Sequence, residues 1–437
     1  MMIQILSGVL LPLLLMGAGA WFVASVGGRL LCHPHRVWDA LRGQGGGSSA
    51  RALAVALAGT LGVGNIAGVA TALVLGGAGA VFWMWVSALL AMLLKYAEIV
   101  LAMRTRRADG QGRFHGGAMH YIKVAFGQKA GAPMAAMFAL LCLCCAFTLG
   151  GVIQSSAAAE AACGVFDLPP LAVGVGMGIA AALILACGSV KLERACTLLV
   201  PAVCLLFSVA AVAVLVLRRQ ALPSAFAAIL QGAFQPFAAG AGVVGFLTSK
   251  ALRYGVARGL VSNEAGCGTA PIAHIAAENR SPAAQGVWGI LEVFVDTILL
   301  CTMTALVILV SGVPLSGEGG VMLAVEAFSA VLGRAAAPVL ALSVLLFAFA
   351  TLLCWSHYGG ECLIYLTGKP RAARWMSLPV LLSSIIGAVA APAIRWELTD
   401  LILALMAILN ITALLICRRA VGEETKLFCD DRGRTGR

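Results

Sequence analysis

What this sequence has least of is charge. Asp, Glu, Lys and Arg make up 11% of its 437 residues, against about 25% in a soluble domain. With 61% hydrophobic residues and a mean hydropathy of +0.97, the shortage excludes a soluble protein. Short segments of alternating hydrophobicity are also missing, which excludes a transmembrane barrel. No polar stretch is long enough for a second domain. The six histidines form no HExxH or similar ligand motif, so a membrane-embedded metalloenzyme finds no support. Cys142 and Cys145 make a CxxC with no second pair, and most of the fourteen cysteines lie in apolar runs, where cysteine packs as a small hydrophobe.

What is present is a series of about eleven apolar segments, most reaching the ~20 residues of a spanning helix. They run roughly over 3–31, 50–75, 78–104, 132–162, 170–190, 195–217, 236–262, 285–312, 338–366, 374–391 and 397–417. The first lacks a basic leader and a convincing cleavage site, and reads as a retained helix. The net charge of +11 sits mainly in alternate loops. Arg29/Arg36/Arg42, Arg104–Lys129, Lys191/Arg194, Lys369/Arg371/Arg374 and Arg418/Arg419 share one side; Arg218, Arg219, Arg334 and Arg395 fall on the other. This asymmetry predicts a multi-pass protein of the cell (inner) membrane, N-terminus outside and C-terminus cytoplasmic. The surplus charge then sets topology beside membrane lipid, and nucleic acid is not expected as a partner.

The segment 50–75 contains GTLGVGNIAGVA (59–70), with glycines at 59, 62, 64 and 68 and Asn65 at its centre. Each glycine costs a helix roughly 1 kcal/mol relative to alanine, so the helix is not built to be continuous here. A dinucleotide fingerprint would need a preceding strand and an acidic residue about 20 positions on. The flanks are membrane helix, and no acidic residue occurs between Asp39 and Glu98. Close helix packing would use Gly64 and Gly68, four apart, but leaves Asn65, Gly59 and Gly62 unexplained. An unwound segment lining a cavity accounts for all of them. A partner break is expected in 236–262, with Gly240, Gly242 and Gly245 in its first half. Setting the first helix aside, the two glycine-broken segments each open a set of five, the layout of a transporter binding site.

The runs GVGNIAGVATALVLGGAGAVFWMWVSALLAMLLKYAEIVLA (62–102), GGAMHYI (116–122) and RYGVARGLVSNEAGCGTAPIAH (253–274) resemble the alanine or glycine:cation symporter family. The resemblance covers about residues 1–417. It implies an all-α integral membrane protein with the leucine-transporter-like five-plus-five inverted repeat and discontinuous helices. The division follows: an extra N-terminal helix and basic loop (1–49), two five-helix repeats (50–219 and 220–417) and a cytoplasmic tail (418–437). It also implies import of a small amino acid coupled to sodium, with no cofactor beyond that co-transported ion. Asn65, Gly68, Thr71, Gln154, Gly242 and Trp355 are expected to line the substrate pocket. Gly62 and Thr351 are expected at the cation site. Ala350 stands where the family usually carries a second hydroxyl, so that site recruits water, binds sodium more weakly, or has changed its ion to a proton. Gly242-Val243 replaces the usual glycine–phenylalanine run, and Gly359-Gly360-Glu361 moves a charge by one position.

Other ionisable residues offer functional candidates beside quieter readings. Lys95 and Glu98, three apart, can pair on one helix. Glu292 and Asp296 share a face and either bind a cation, relay protons or pair between helices. Asn263 and Glu264, in the expected cytoplasmic stretch 262–274, are gate candidates by resemblance. His115 and His120 read as solvated. An ion channel would tolerate the glycines, but two matched breaks favour a gated carrier.

Overall fold

The computed structural model describes residues 10–42, 46–108, 114–234, 249–315, 319–390 and 396–430. Helix α1 (Leu11–Cys32) leads into a short surface helix, α2 (Pro34–Arg42). A single apolar segment then appears as two helices, α3 (Gly46–Thr60) and α4 (Ala67–Gly76), bent by 64° at the glycine-rich stretch between them. Gly77 ends α4 at φ +74, a conformation that costs glycine least, and the chain turns back as α5 (Gly79–Thr105).

A two-stranded hairpin, β1 (Arg107–Ala108) with β2 (Phe114–His115), precedes α6 (Ala118–Ala125). Next come α7 (Gly127–Phe166), α8 (Pro170–Ala186), α9 (Ser189–Leu217) and α10 (Leu222–Ala233). The second half holds α11 (Lys250–Asn263), α12 (Ala270–His274), α13 (Pro282–Ser311), α14 (Val321–Leu332), α15 (Ala336–Thr367), α16 (Ser377–Val389), α17 (Trp396–Ile416) and α18 (Arg418–Asp430).

Among the described residues, eight helices are long and apolar enough to cross a bilayer, and the bent α3–α4 pair makes nine. The shorter α8 and the partly described 236–262 segment bring the tally to the eleven apolar runs. The expected glycines of the second break, Gly240, Gly242 and Gly245, lie outside the described residues.

The packing is pseudo-symmetric. After α1, three core helices meet the one five places later: α5 against α13, the second half of α7 against α15, and α8 against α16. The broken pair crosses head to tail, α4 on α11 and α3 on α12. Small residues permit the close approaches, as between membrane helices generally. A methyl on Gly174 of α8 would stand 2.7 Å from the Ala388 Cβ and 2.8 Å from the Ser384 carbonyl of α16. The lipid side is apolar instead: Leu198, Leu205, Val209 and Val216 of α9 are all exposed.

Two neighbouring glycines therefore respond differently to bulk. Gly174→Leu forces α8 and α16 apart, costing about 1–3 kcal/mol and lowering the melting temperature in detergent. Gly176→Leu, where an added Cβ meets nothing within 4 Å, leaves it unchanged.

Candidate functional site

The site begins with the chain between α3 and α4. Gly62 adopts an extended conformation, and Val63–Asn65 form a single 3-10 turn, so backbone groups at the centre of the bundle leave the helical ladder. Side chains take them up. The Gln154 Oε1 accepts the Val63 N–H at 3.1 Å. The Thr351 hydroxyl donates to the Ala58 carbonyl at 2.9 Å and faces that of Leu61 at 3.5 Å. Only glycine fits at 62: an added Cβ would sit 2.7 Å from Thr351 Oγ1 and 2.9 Å from Gln154 Oε1.

A second interruption lies where α11 meets α12. Glu264 caps α11 in the left-handed region at φ 51, and Gly266 and Gly268 follow at φ 86 and 77. This stretch reads as a loop in the sequence, yet it is buried, Asn263 and Glu264 each being 1% exposed. Burial forces the polar groups to find partners. Trp355 Nε1 donates to one Glu264 oxygen at 3.0 Å and the Thr269 hydroxyl to the other at 2.7 Å. Asn263 donates to Thr297 at 3.2 Å and accepts the Ala265 N–H at 3.0 Å.

Asp296 of α13 ties the two interruptions together. Its Oδ1 accepts from Asn65 Nδ2 at 2.7 Å, and its Oδ2 accepts from Ser262 at 2.8 Å and Thr297 at 2.6 Å. Asn65 reaches the Asp296 carbonyl as well, at 3.1 Å. Asn65 Oδ1, by contrast, is buried without a hydrogen-bond partner. Close by, Gly68 is buried, yet a Cβ placed on it would meet nothing within 4 Å. The helix α4 starts at Ala67 with no side-chain cap. An uncapped helix start thus faces a small interior space.

Further ionisable residues surround this core at zero exposure: Lys95, Glu98, Glu292 and His274. Lys95 does not pair with Glu98 on its own helix but with Glu292 of α13, at 3.2 Å. Glu98 turns away to the Gly268 N–H and Asn410, at 2.9 and 2.6 Å. From one end of the bundle a cavity of about 560 Å³ descends along α3, past Arg51 and Val55, to Ser356 of α15. Arg51 Nε and Glu193 Oε1 meet across its wall at 2.6 Å. Beyond it stand Tyr358 and Cys354, both within 3.0 Å of a Cβ built on Gly59.

The sequence profile of the sodium:alanine symporter family matches residues 1–436. The chain belongs to that family. It is a transporter, not an enzyme, and a multi-pass membrane protein. It is 36% identical over 383 residues to the sodium/alanine symporter AgcS of Methanococcus maripaludis, covering 86% of this chain and 83% of that one. A putative sodium/proton-dependent alanine carrier protein, YrbD of Bacillus subtilis, is 32% identical over 85% of this chain and 79% of its own length. Among solved structures, MhsT in complex with L-phenylalanine superposes with a TM-score of 0.60 at 14% identity, covering 87% of this chain and 95% of that one. The fold is the leucine-transporter type.

Within this family member, the residues expected at the site occupy distinct places. Asn65, Gly62, Gln154 and Thr351 converge on the first interruption, and Gly68 lies one turn further. Thr71 hydrogen-bonds back to the Ala67 carbonyl at 2.8 Å, and its backbone packs against Gly319. Trp355 is fully buried and directed at Glu264. Gly242 lies outside the described residues. His115 and His120, expected to be solvated, are half-buried; His115 lies 3.6 Å from Glu361 and His120 packs edge-on against Tyr365. Ser262, Thr297 and Asn410 were not expected at all, because serine, threonine and asparagine in apolar helices carry no distinguishing pattern. The second interruption did carry one: Gly266-Cys267-Gly268 repeats the Gly-x-Gly of Gly62–Gly64.

Removing the Asp296 carboxylate strands three buried donors. Asp296→Ala is expected to cost on the order of 2–4 kcal/mol and to lower the melting temperature sharply. Asp296→Asn, which keeps an acceptor, loses less; equal melting of both variants and wild type would show that this tie is not structural.

Proposed function

We propose that this protein is a secondary active symporter that imports alanine, glycine or a similarly small amino acid, coupled to sodium, by alternating access. The observation that carries this reading is the uncapped start of α4 beside the interior space at Gly68. A helix N-terminus whose amides lack capping partners attracts a carboxylate. The partnerless Asn65 Oδ1 is an acceptor suited to the substrate ammonium. A zwitterion is thereby held by dipoles, without burying an opposing full charge.

Sodium, in this reading, is held by the Ala58 and Leu61 carbonyls with the Thr351 hydroxyl. Ala350, fully buried beside it, supplies no oxygen. Proton coupling is the second reading, favoured by that missing ligand and by the name of the Bacillus subtilis relative. Either cation would suffice energetically, since one charge crossing 100 mV supplies about 2.3 kcal/mol.

The cavity beside α3 is read as the cytoplasmic vestibule. Arg371 and Arg374 from a basic connection line it, and basic loops favour the inner side; the C-terminus then lies inside and the N-terminus outside. Tyr358, Cys354 and Trp355 close the path from the vestibule to Gly62. Asn263 and Glu264 serve as inner-gate residues by linking the second interruption to α13 and to α15, respectively.

The direct test is uptake of labelled alanine and glycine into proteoliposomes under sodium and proton gradients imposed separately. Equal uptake under either gradient and under none would defeat coupling. Losing or adding one oxygen ligand changes affinity by about 1–2 kcal/mol. Thr351→Ala is therefore expected to raise the half-activating sodium concentration by about tenfold, and Ala350→Ser to lower it.

Glu264→Ala removes the acceptor for Trp355 and Thr269 and is expected to slow turnover while leaving alanine binding measurable. Unchanged uptake would remove Glu264 from the gate.

A further inference from the structure

A chain of side chains with zero exposure runs from the first broken helix to Lys95, and the substrate and sodium sites do not use it. The Ser49 hydroxyl of α3 donates to Gln285 Oε1 at 2.7 Å. Gln285 Nε2 donates to His274 Nδ1 at 2.8 Å. His274 Nε2 then donates to Glu292 Oε2 at 3.1 Å, and Lys95 holds Glu292 Oε1 at 3.2 Å. All five residues are fully buried.

Each bond fixes the next. A Gln285 N–H aimed at Nδ1 pairs with that nitrogen as an acceptor and leaves an Nε2 N–H for Glu292. The arrangement has one alternative that leaves no group unpaired. If the Gln285 amide turns over, its oxygen accepts from a protonated Nδ1 and its NH2 donates to Ser49. A hydroxyl can donate or accept, so Ser49 fits both states; an alanine or a carboxylate there would fit at most one. Glu292, already facing Nε2, balances the imidazolium.

We propose that His274 is a proton-binding site of the transport cycle, read out by the Ser49–Gln285 pair and exposed to the vestibule when α3 moves. This rests on the symporter reading above. On protonation a vestibular hydronium ion gives its proton to Nδ1, forming one N–H bond and leaving water; the amide rotates and no other covalent bond changes. Access is a matter of one residue. Ser48, next to Ser49, and Arg51, two positions on, line the vestibule, as do Ala273 and Ile275 on either side of His274.

Around the His274–Glu292 pair, charged and titratable groups come from several elements. Glu292 comes from α13, Lys95 and Glu98 from α5, Glu264 from the second interruption, and Tyr358 from α15, all within electrostatic reach of Glu292. On the vestibule side stand Arg51 of α3, Glu278, and the His115–Glu361 pair. Histidine is the side chain whose charge ordinarily changes between pH 5 and 8.

The experiment is sodium-driven uptake of labelled alanine into proteoliposomes at internal and external pH 6–8.5, with a pH-sensitive dye inside the vesicles. Wild type is expected to change its rate by about fivefold or more across this range, the span over which histidine titrates, and to move protons with alanine. His274→Gln is expected to flatten the profile and abolish the proton signal. Gln285→Glu, whose carboxylate favours the imidazolium while still accepting from Ser49, is expected to shift the profile to higher pH. If His274→Gln does not fold, the Gln285→Glu shift decides alone. Wild-type profiles in the variants overturn the inference and leave the symporter intact; absence of any gradient-driven uptake in wild type overturns the symporter reading itself.

Discussion

The Asp296 carboxylate is the contact on which the centre of this molecule depends. Two helices are interrupted inside a bundle of membrane spans, and an interruption there leaves peptide groups without water to satisfy them. One acidic side chain gathers Asn65 from the first interruption, Ser262 from the turn before the second, and Thr297 from its own helix. Both breaks are thus referenced to α13. Gln154 and Thr351 do the same work for the backbone from α7 and α15. The unwound chain is held from three sides.

Around that point the interior is acidic. Glu98, Glu264, Glu292 and Asp296 are buried with Lys95 as the one lysine among them and His274 as a titratable partner. Buried charges of one sign in this excess are too costly to be left uncompensated. The interior is therefore a place where arriving cations, protons included, lower the free energy. That property accords with the cation-coupled import of a zwitterion proposed above.

The helical architecture was legible because hydrophobic length is a local property. The first interruption was equally legible, because Gly59, Gly62, Gly64 and Asn65 stand close together in an otherwise apolar run. The second was not. Glu264–Thr269 looked like a polar loop, and only burial reveals its polar groups to be internally paired; the break expected at Gly240–Gly245 lies outside the described residues. Lys95 shows the same limit: the sequence offers Glu98 at i+3, but the side chain takes Glu292 from across the bundle. Tertiary proximity decides such choices, and one sequence carries no trace of it. Gln154 was legible only through family likeness; an amide in a helix is otherwise equally suited to bridging two spans.

The Arg51–Glu193 pair on the vestibule wall has side chains 50% and 36% exposed, and its strength is limited accordingly. Such a surface contact is worth at most about 1 kcal/mol. A pair that weak opens readily. If the cavity is the vestibule proposed above, resistance to leakage falls to the buried aromatic pair behind it, Tyr358 and Trp355, which salt in the medium does not screen.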